Sequence, residues 1–316
     1  MSKTNGIEIY LGAGAIGDKS DPNSRYTTPD AAKEYLDAFA ARGYNRIDTA
    51  RVYPLAAPGT SEQFLGEIGA AQDFVIDSKY PGLAPGTLKA ENMEKHLGET
   101  LGALKAESVN VMYLHGPDST TPLEETCQAV HRAYEAGKFK YFGLSNYPPE
   151  QVEQIIDICT KNNWVKPTVY QGQYNVVLRQ AEQLLPLLRK YGMQFVAYSP
   201  AVGGFLSGLE FARPGSRFDP NTPVGQFYAS WYGREELKQL AAKAVDKIKA
   251  EGIAGHAAAL RWTIYHSQLQ KGDAVIIAAS NVEQLKENID AAEAGPLPQP
   301  LVELLDDLFK KAAVSI

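Results

Sequence analysis

The stretch "IYLGAGAIGDKSD", residues 9–21, decides how this chain is read. An apolar run leads into Gly12, Gly14 and Gly17, the G-x-G-x-x-G spacing of the turn that opens a Rossmann unit. Such a turn works because a helix starts inside it and aims its first N–H groups at a phosphate. Here the glycines run instead into "DKSDPNSRYTTPD", residues 18–30, which is polar, contains Pro22 and lacks apolar periodicity. The first convincing helix begins near Pro29, capped by Thr28, so the glycines read as a strand-to-loop turn.

Working outward, short β-branched or apolar runs recur, each followed by a segment of helical period. The predicted strands are Ile7–Leu11, Arg46–Asp48, Phe74–Lys79, Val109–His115, Tyr141–Ser145, Thr168–Gln171, Gln194–Tyr198 and Ala274–Ile277. Helical stretches begin near Pro29, Ser61, Leu88, Pro122, Pro149, Ala181, Ala257 and Val282. Strand and helix alternate without a linker of biased composition, which predicts one α/β domain over residues 1–316, a (β/α)8 TIM barrel. Two helices, Arg234–Ala250 and Leu301–Ala312, read as additions, and residues 201–233 read as a long loop after strand seven. A loop of that length usually carries function.

The bulk composition narrows the function. The chain has 316 residues, 44% of them hydrophobic, and a net charge of −6. No basic block offers a nucleic-acid footprint. Cys127 and Cys159 lie on separate predicted helices without a C-x-x-C motif, so reduced cysteines and no metal are expected. The start "MSKTNGIEIY" has no apolar signal core, and no window reads as a membrane span. The expectation is a cytoplasmic, monomeric or homodimeric enzyme acting on a small molecule, with neither nucleic-acid nor membrane partners.

In a (β/α)8 barrel the chemistry sits at the C-terminal ends of the strands. Reading off strands two to four gives Asp48, Tyr53 just beyond it, Lys79 and His115. A carbonyl that receives a hydride needs a proton, and Tyr can give one once a nearby cation makes the phenol more acidic. Lys79 supplies the cation, Asp48 compensates its burial, and His115 directs the substrate oxygen toward the Tyr53 hydroxyl. The Tyr-x-x-x-Lys spacing of "YEAGK", residues 134–138, is a decoy, because Gly137 ends that helix. Arg51 could pair with an acidic substrate but reads better as a solvated rim arginine.

The segments "RIDTARVY", "DSKY", "YLHGPD" and "YFGLSNY" resemble the aldo-keto reductase superfamily, and the similarity runs essentially end to end. "AYSPAVGGFLSG", "AALRWTIYHSQLQ" and "SNVEQLKENIDAAEAGPL" look most like its aflatoxin-aldehyde-reductase branch. The resemblance implies reduction of aldehydes or ketones by NADP(H) bound across the barrel mouth, with Asp48, Tyr53, Lys79 and His115 as catalytic tetrad. It implies that Ser145, Asn146 and Gln171 bind the nicotinamide carboxamide, with Asp48 close by, and that Tyr198 stacks on the ring. Ser199, Pro200, Ala201, Gly203, Gly204, Leu206 and Gly208 would wrap the pyrophosphate. Ala279, Ser280, Asn281, Gln284 and Asn288, with Arg217, would take the adenosine end. Ala278 and Gln284 stand where the family often has Lys and Arg, which leaves NADH as the competing cofactor. Tyr53, His115, Gly14, Phe227 and Trp231, together with Phe205, Tyr228 and Tyr232, would line a mostly apolar substrate cleft. The pathway served, biosynthetic or detoxifying, is open. Two other function classes remain: a nucleotide-binding regulatory protein like a channel subunit, and a Schiff-base lyase using Lys79.

Overall fold

The computed structural model describes residues 3–208 and 217–314. Its strands are β1 (Glu8–Gly12), β2 (Arg46–Asp48), β3 (Val75–Tyr80), β4 (Val109–Leu114), β5 (Phe139–Ser145), β6 (Pro167–Gln173), β7 (Gln194–Tyr198) and β8 (Ala274–Ile277). They close into a barrel in chain order. The helices are α1 (Pro29–Ala40), α2 (Thr60–Glu67), α3 (Ala70–Asp73), α4 (Ala90–Leu104), α5 (Leu123–Glu135), α6 (Pro149–Lys161), α7 (Leu185–Lys190), α8 (Pro223–Tyr232), α9 (Glu235–Ala250), α10 (Gly255–Tyr265), α11 (Val282–Glu293) and α12 (Gln299–Val314). Among the described residues no helix is long and apolar enough to cross a membrane.

Local chemistry accounts for the elements. Thr28 caps α1 by accepting a hydrogen bond from the Ala31 amide, Pro29 fits the first turn, and Ala32, Tyr35, Leu36 and Phe39 form one buried face. Asn281 caps α11 and Thr222 caps α8 in the same way. Strand β4, "VNVMYL", is buried at five of its six positions, as a strand covered on both faces must be.

The described residues form two compact units. The larger comprises residues 9–172 and 183–196. Parallel register in it pairs Asp48 with Asp77, Lys79 with Tyr113, Leu114 with Leu144, and Ser145 with Gln171. Its barrel interior is partly polar. The Arg46 guanidinium lies 4.2 Å from the Tyr10 ring centre and donates to the fully buried Asp77, whose carboxylate also accepts from the Asn110 side chain and the Val111 amide. Burial pushes the Asp77 carboxyl up to about 6, although Arg46 and Asn110 pull the other way.

The smaller unit comprises, among the described residues, 3–8, 173–182, 197–208 and 217–314. Its core packs Val176, Val202, Phe205, Tyr232, Leu237, Trp262 and Leu305 together. Two expectations change here. The long segment after β7 is not all loop: it contains the helical turn Val202–Ser207 and α8, while residues 209–216 lie outside those described. Phe205 and Tyr232, expected at a substrate cleft, are each 1% exposed and belong to this core.

Candidate active site

The larger unit gathers Asp48, Tyr53, Lys79 and His115. Asp48 ends β2, Lys79 is the next-to-last residue of β3, and His115 directly follows β4. The Lys79 side chain is fully buried; its ammonium donates to Asp48 Oδ2 at 2.6 Å and to the Thr49 carbonyl at 2.7 Å. Gln171 Nε2 donates to the other Asp48 oxygen at 2.7 Å. A buried ammonium is tolerable only with such partners, so β2, β3 and β6 jointly fix it.

Tyr53 is half-buried, and its ring centre lies 5.0 Å from Lys79 Nζ. The His115 imidazole meets it edge-on, with ring centres 5.5 Å apart and planes at 82°. Burial, reinforced by the Lys79 charge, pushes the His115 imidazole down to about 3, so it is neutral across the ordinary pH range. A neutral imidazole offers one N–H to an oxygen beside Tyr53 without competing as an acid. A phenol, a buried cation, its counter-ion and a neutral hydrogen-bond donor thus stand together.

Ser145 and Gln171 are buried at the ends of β5 and within β6, respectively. Asn146 adopts a left-handed conformation with φ 60°, and its Nδ2 donates to the His115 carbonyl at 2.8 Å and the Ser145 hydroxyl at 3.1 Å. Gly14 lies against the Tyr53 ring, where a methyl group would make ordinary contact at 3.7 Å.

Gly17 has a role the sequence did not reveal. Its φ of 147° and its tight approach to Pro54 and Thr60 leave no room for a Cβ. The Asp18 amide then donates to Thr60 Oγ1, and Asp21 Oδ2 accepts from the Ala56 amide. The loop after β1 therefore supports the loop that carries Tyr53. Arg51 also departs from expectation: it is not a solvated rim residue but is ion-paired with the fully buried Glu62.

The smaller unit holds the other predicted residues. Tyr198 and Ser199 are half-buried at the end of β7, and Ser199, Val202, Gly203, Gly204 and Gly208 all have positive φ. The buried backbone here is anchored by Asn175 Nδ2 donating to the Ser199 carbonyl and Thr263 Oγ1 donating to that of Pro200. Val202 and Leu206 point into the core. Arg217 donates to the Tyr228 hydroxyl at 3.0 Å. At α11, Asn281 accepts from the Gln284 amide while Gln284 Oε1 accepts from the amide of Ser280, the residue before the cap. Asn288 donates to the Ala278 carbonyl, and Ala279 is buried beside it in the chain. On α8, Phe227 is exposed and Trp231 half-buried, with ring centres 4.0 Å apart.

Residues 8–310 match the family model described as Aldo/keto reductase family. The chain belongs to this family. Among its relatives are an aldo-keto reductase of Pseudocercospora fijiensis, 38% identical over 89% of this chain and 98% of the relative, and human aldo-keto reductase family 7 member A3, 38% identical over 95% and 92%. Mouse aflatoxin B1 aldehyde reductase member 2 is 38% identical over 90% of this chain and 81% of the relative. Aldo-keto reductases are oxidoreductases that act on carbonyl groups with nicotinamide cofactors, and this chain is placed among them.

Proposed function

We propose that the protein reduces an aldehyde or ketone with NADP(H), using Tyr53 as the proton donor. The observation that carries this reading is the buried Lys79–Asp48 pair held beside Tyr53 and the neutral His115. When bound, the reduced nicotinamide supplies a hydride to the carbonyl carbon. Tyr53 gives its proton to the carbonyl oxygen as negative charge develops there, and the Lys79 ammonium stabilises the phenolate left behind. Asp48 and the Thr49 carbonyl hold that ammonium in place. His115 donates its N–H to the same carbonyl oxygen and holds it toward Tyr53.

The residues fit a nicotinamide. A primary carboxamide carries one acceptor and one donor group, and the Ser145 hydroxyl with the Asn146 and Gln171 amides provides both types at neighbouring strand ends. Tyr198 offers a flat ring for stacking. The left-handed residues Ser199, Val202, Gly203, Gly204 and Gly208 leave backbone amides suited to a pyrophosphate, with the backbone of Pro200, Ala201 and Leu206 completing the segment. Arg217 and the start of α11, with Ala279, Ser280, Asn281, Gln284 and Asn288, are proposed for the adenosine 2′-phosphate. Phe227, exposed, and Trp231, half-buried, are proposed together with Gly14 for the substrate, and they favour a hydrophobic or aromatic carbonyl. A Schiff-base lyase is not supported, because an imine requires a free amine and Lys79 is a doubly hydrogen-bonded ammonium.

The test is a spectrophotometric screen of NADPH and NADH against short, aromatic and dicarbonyl substrates, with Tyr53→Phe alongside. Turnover by wild type that Tyr53→Phe abolishes is expected. No consumption of either cofactor with any carbonyl would overturn the proposal and favour a regulatory nucleotide binder.

A further inference from the structure

Tyr53 sits on a loop, whereas Lys79 and Asp48 sit on strands, so something must fix the phenol against the ammonium. The backbone does part of this. The Tyr53 carbonyl accepts from the amides of Gly59 and Ser61, where α2 begins, and the Arg51 amide donates to the carbonyl of Lys79 itself. These bonds hold Tyr53 only as well as α2 and Arg51 are themselves held.

Glu62, in the first turn of α2, is where those restraints meet. Its carboxylate is fully buried. One oxygen accepts from the hydroxyl of Ser78, the neighbour of Lys79 on β3, at 2.6 Å. The other accepts from Arg51 Nη1 at 2.5 Å and from Thr100 Oγ1 on α4 at 3.3 Å. Arg51 lies between Asp48 and Tyr53 in the chain, and its guanidinium fills the space that a Cβ at Gly59 would occupy. The Ser61 hydroxyl extends the lattice, donating to the Ala13 carbonyl and accepting from Thr49. Glu62 therefore touches the residue beside Lys79 and, through Arg51, the loop that presents Tyr53.

A buried carboxylate is a costly way to stabilise a helix, since apolar residues of similar size do it as well or better. Its three directional bonds do what apolar packing does not: they fix α2 against β3, α4 and the loop that follows β2. We propose that Glu62 and Arg51 are positioning residues that hold the Tyr53 hydroxyl in reach of both the Lys79 ammonium and the substrate oxygen. This rests on the reading of Tyr53 and Lys79 as the proton-donating pair. It also explains why Arg51, next to the site, does not serve as a substrate-binding cation: its charge is committed to Glu62, and its Nε lies 3.6 Å from Glu99.

The experiment compares Glu62→Gln, Arg51→Met, Arg51→Lys and the double variant Arg51→Met/Glu62→Gln with wild type and Tyr53→Phe. It measures kcat and KM for an aldehyde, the Kd of reduced cofactor by fluorescence, and thermal unfolding. Glu62→Gln keeps an acceptor for Ser78 and Thr100 but loses the charge. Each single neutral variant is expected to lose about tenfold or more in kcat, with cofactor Kd changed by less than about twofold, because small misplacements of a reacting group are costly. The double variant leaves no unpaired buried charge, so it regains thermal stability yet keeps the low kcat; Arg51→Lys falls between. Glu99→Gln, which alters the half-exposed partner, keeps wild-type kcat. The inference is overturned if folded single variants turn over like wild type, or if kcat recovers with stability in the double variant. Should the singles fail to fold, the double variant and Arg51→Lys decide it. The catalytic reading fails separately, through an active Tyr53→Phe.

Discussion

Replacing Lys79 by Met and Asp48 by Asn, singly and together, probes the ion pair on which the site is built. At 2.6 Å the two charges attract by about 6 kcal/mol at an effective permittivity of ~20, and most of this only offsets the cost of taking both ions out of water. Lys79→Met leaves the Asp48 carboxylate, 5% exposed, with Gln171 as its remaining side-chain partner in the pair's immediate network, and leaves the Thr49 carbonyl short of a donor. Each single variant should therefore lose about 3–5 kcal/mol of stability, the usual penalty for an unpaired buried charge. The double variant buries no charge, so its loss should fall about 2–3 kcal/mol short of the sum of the singles. Urea unfolding at neutral pH, followed by circular dichroism, measures this through the transition midpoints. Turnover behaves differently. An ammonium 5.0 Å from the Tyr53 ring centre stabilises phenolate charge by about 3 kcal/mol at that permittivity, so kcat should fall about a hundredfold without Lys79, in the single and the double variant alike. Strictly additive stability losses, or recovery of turnover in the double variant, would refute the reasoning.

Other outcomes follow from single features. Gly17→Ala should cost about 1–3 kcal/mol and reduce kcat, since φ 147° and the contacts with Pro54 and Thr60 exclude a side chain, whereas Gly14→Ala should fold normally; melting curves and kinetics on both variants check this. The unfolded chain protonates His115 near 6.5 while the folded protein does so near 3, so folding stability should fall as pH drops through that window. His115→Phe should weaken this dependence by about 1 kcal/mol per pH unit, measured by urea unfolding at stepped pH, and an unchanged slope would contradict it. Asp77, raised to about 6, acts in the opposite sense: its folded form takes up a proton more readily than the unfolded chain, so its charge becomes a cost as pH rises from about 4 to 6. Asp77→Asn should remove that cost, shown by the difference in unfolding midpoints at the two ends of that range. Gln284→Arg should remove the bond to the Ser280 amide and tighten NADPH relative to NADH by about tenfold, read by fluorescence titration with both cofactors.

Much of the architecture is legible in the sequence, because parallel strands buried on both faces are written as short apolar runs and helices such as α1 and α11 carry their own caps. Arg46–Asp48, Gln194–Tyr198 and Ala274–Ile277 are recovered residue for residue; β5 begins earlier, at Phe139, and β6 runs on to Gln173. Asp48, Tyr53, Lys79 and His115 could be singled out together because side chains at consecutive strand ends of a barrel converge, as these do here. The misses share a cause. Helix α8 starts with the Thr222–Pro223 cap signal, but its aromatic-rich body shows no clear polar face. Phe205 and Tyr232 look like cleft aromatics until the smaller unit is seen to need a core of its own. Glu62 reads as an ordinary surface glutamate, since nothing local tells that Arg51, Ser78 and Thr100 converge on it. Gly17, first noticed for a fingerprint it does not serve, matters for the loop it lets Pro54 and Thr60 approach.

The most direct test of the central claim is single-turnover hydride transfer from NADPH to an aldehyde by Tyr53→Phe, beside a fluorescence measurement of its cofactor binding. The variant should bind NADPH like wild type and transfer hydride slower by at least about a hundredfold, the loss expected for a missing proton donor. Transfer at the wild-type rate would contradict the claim.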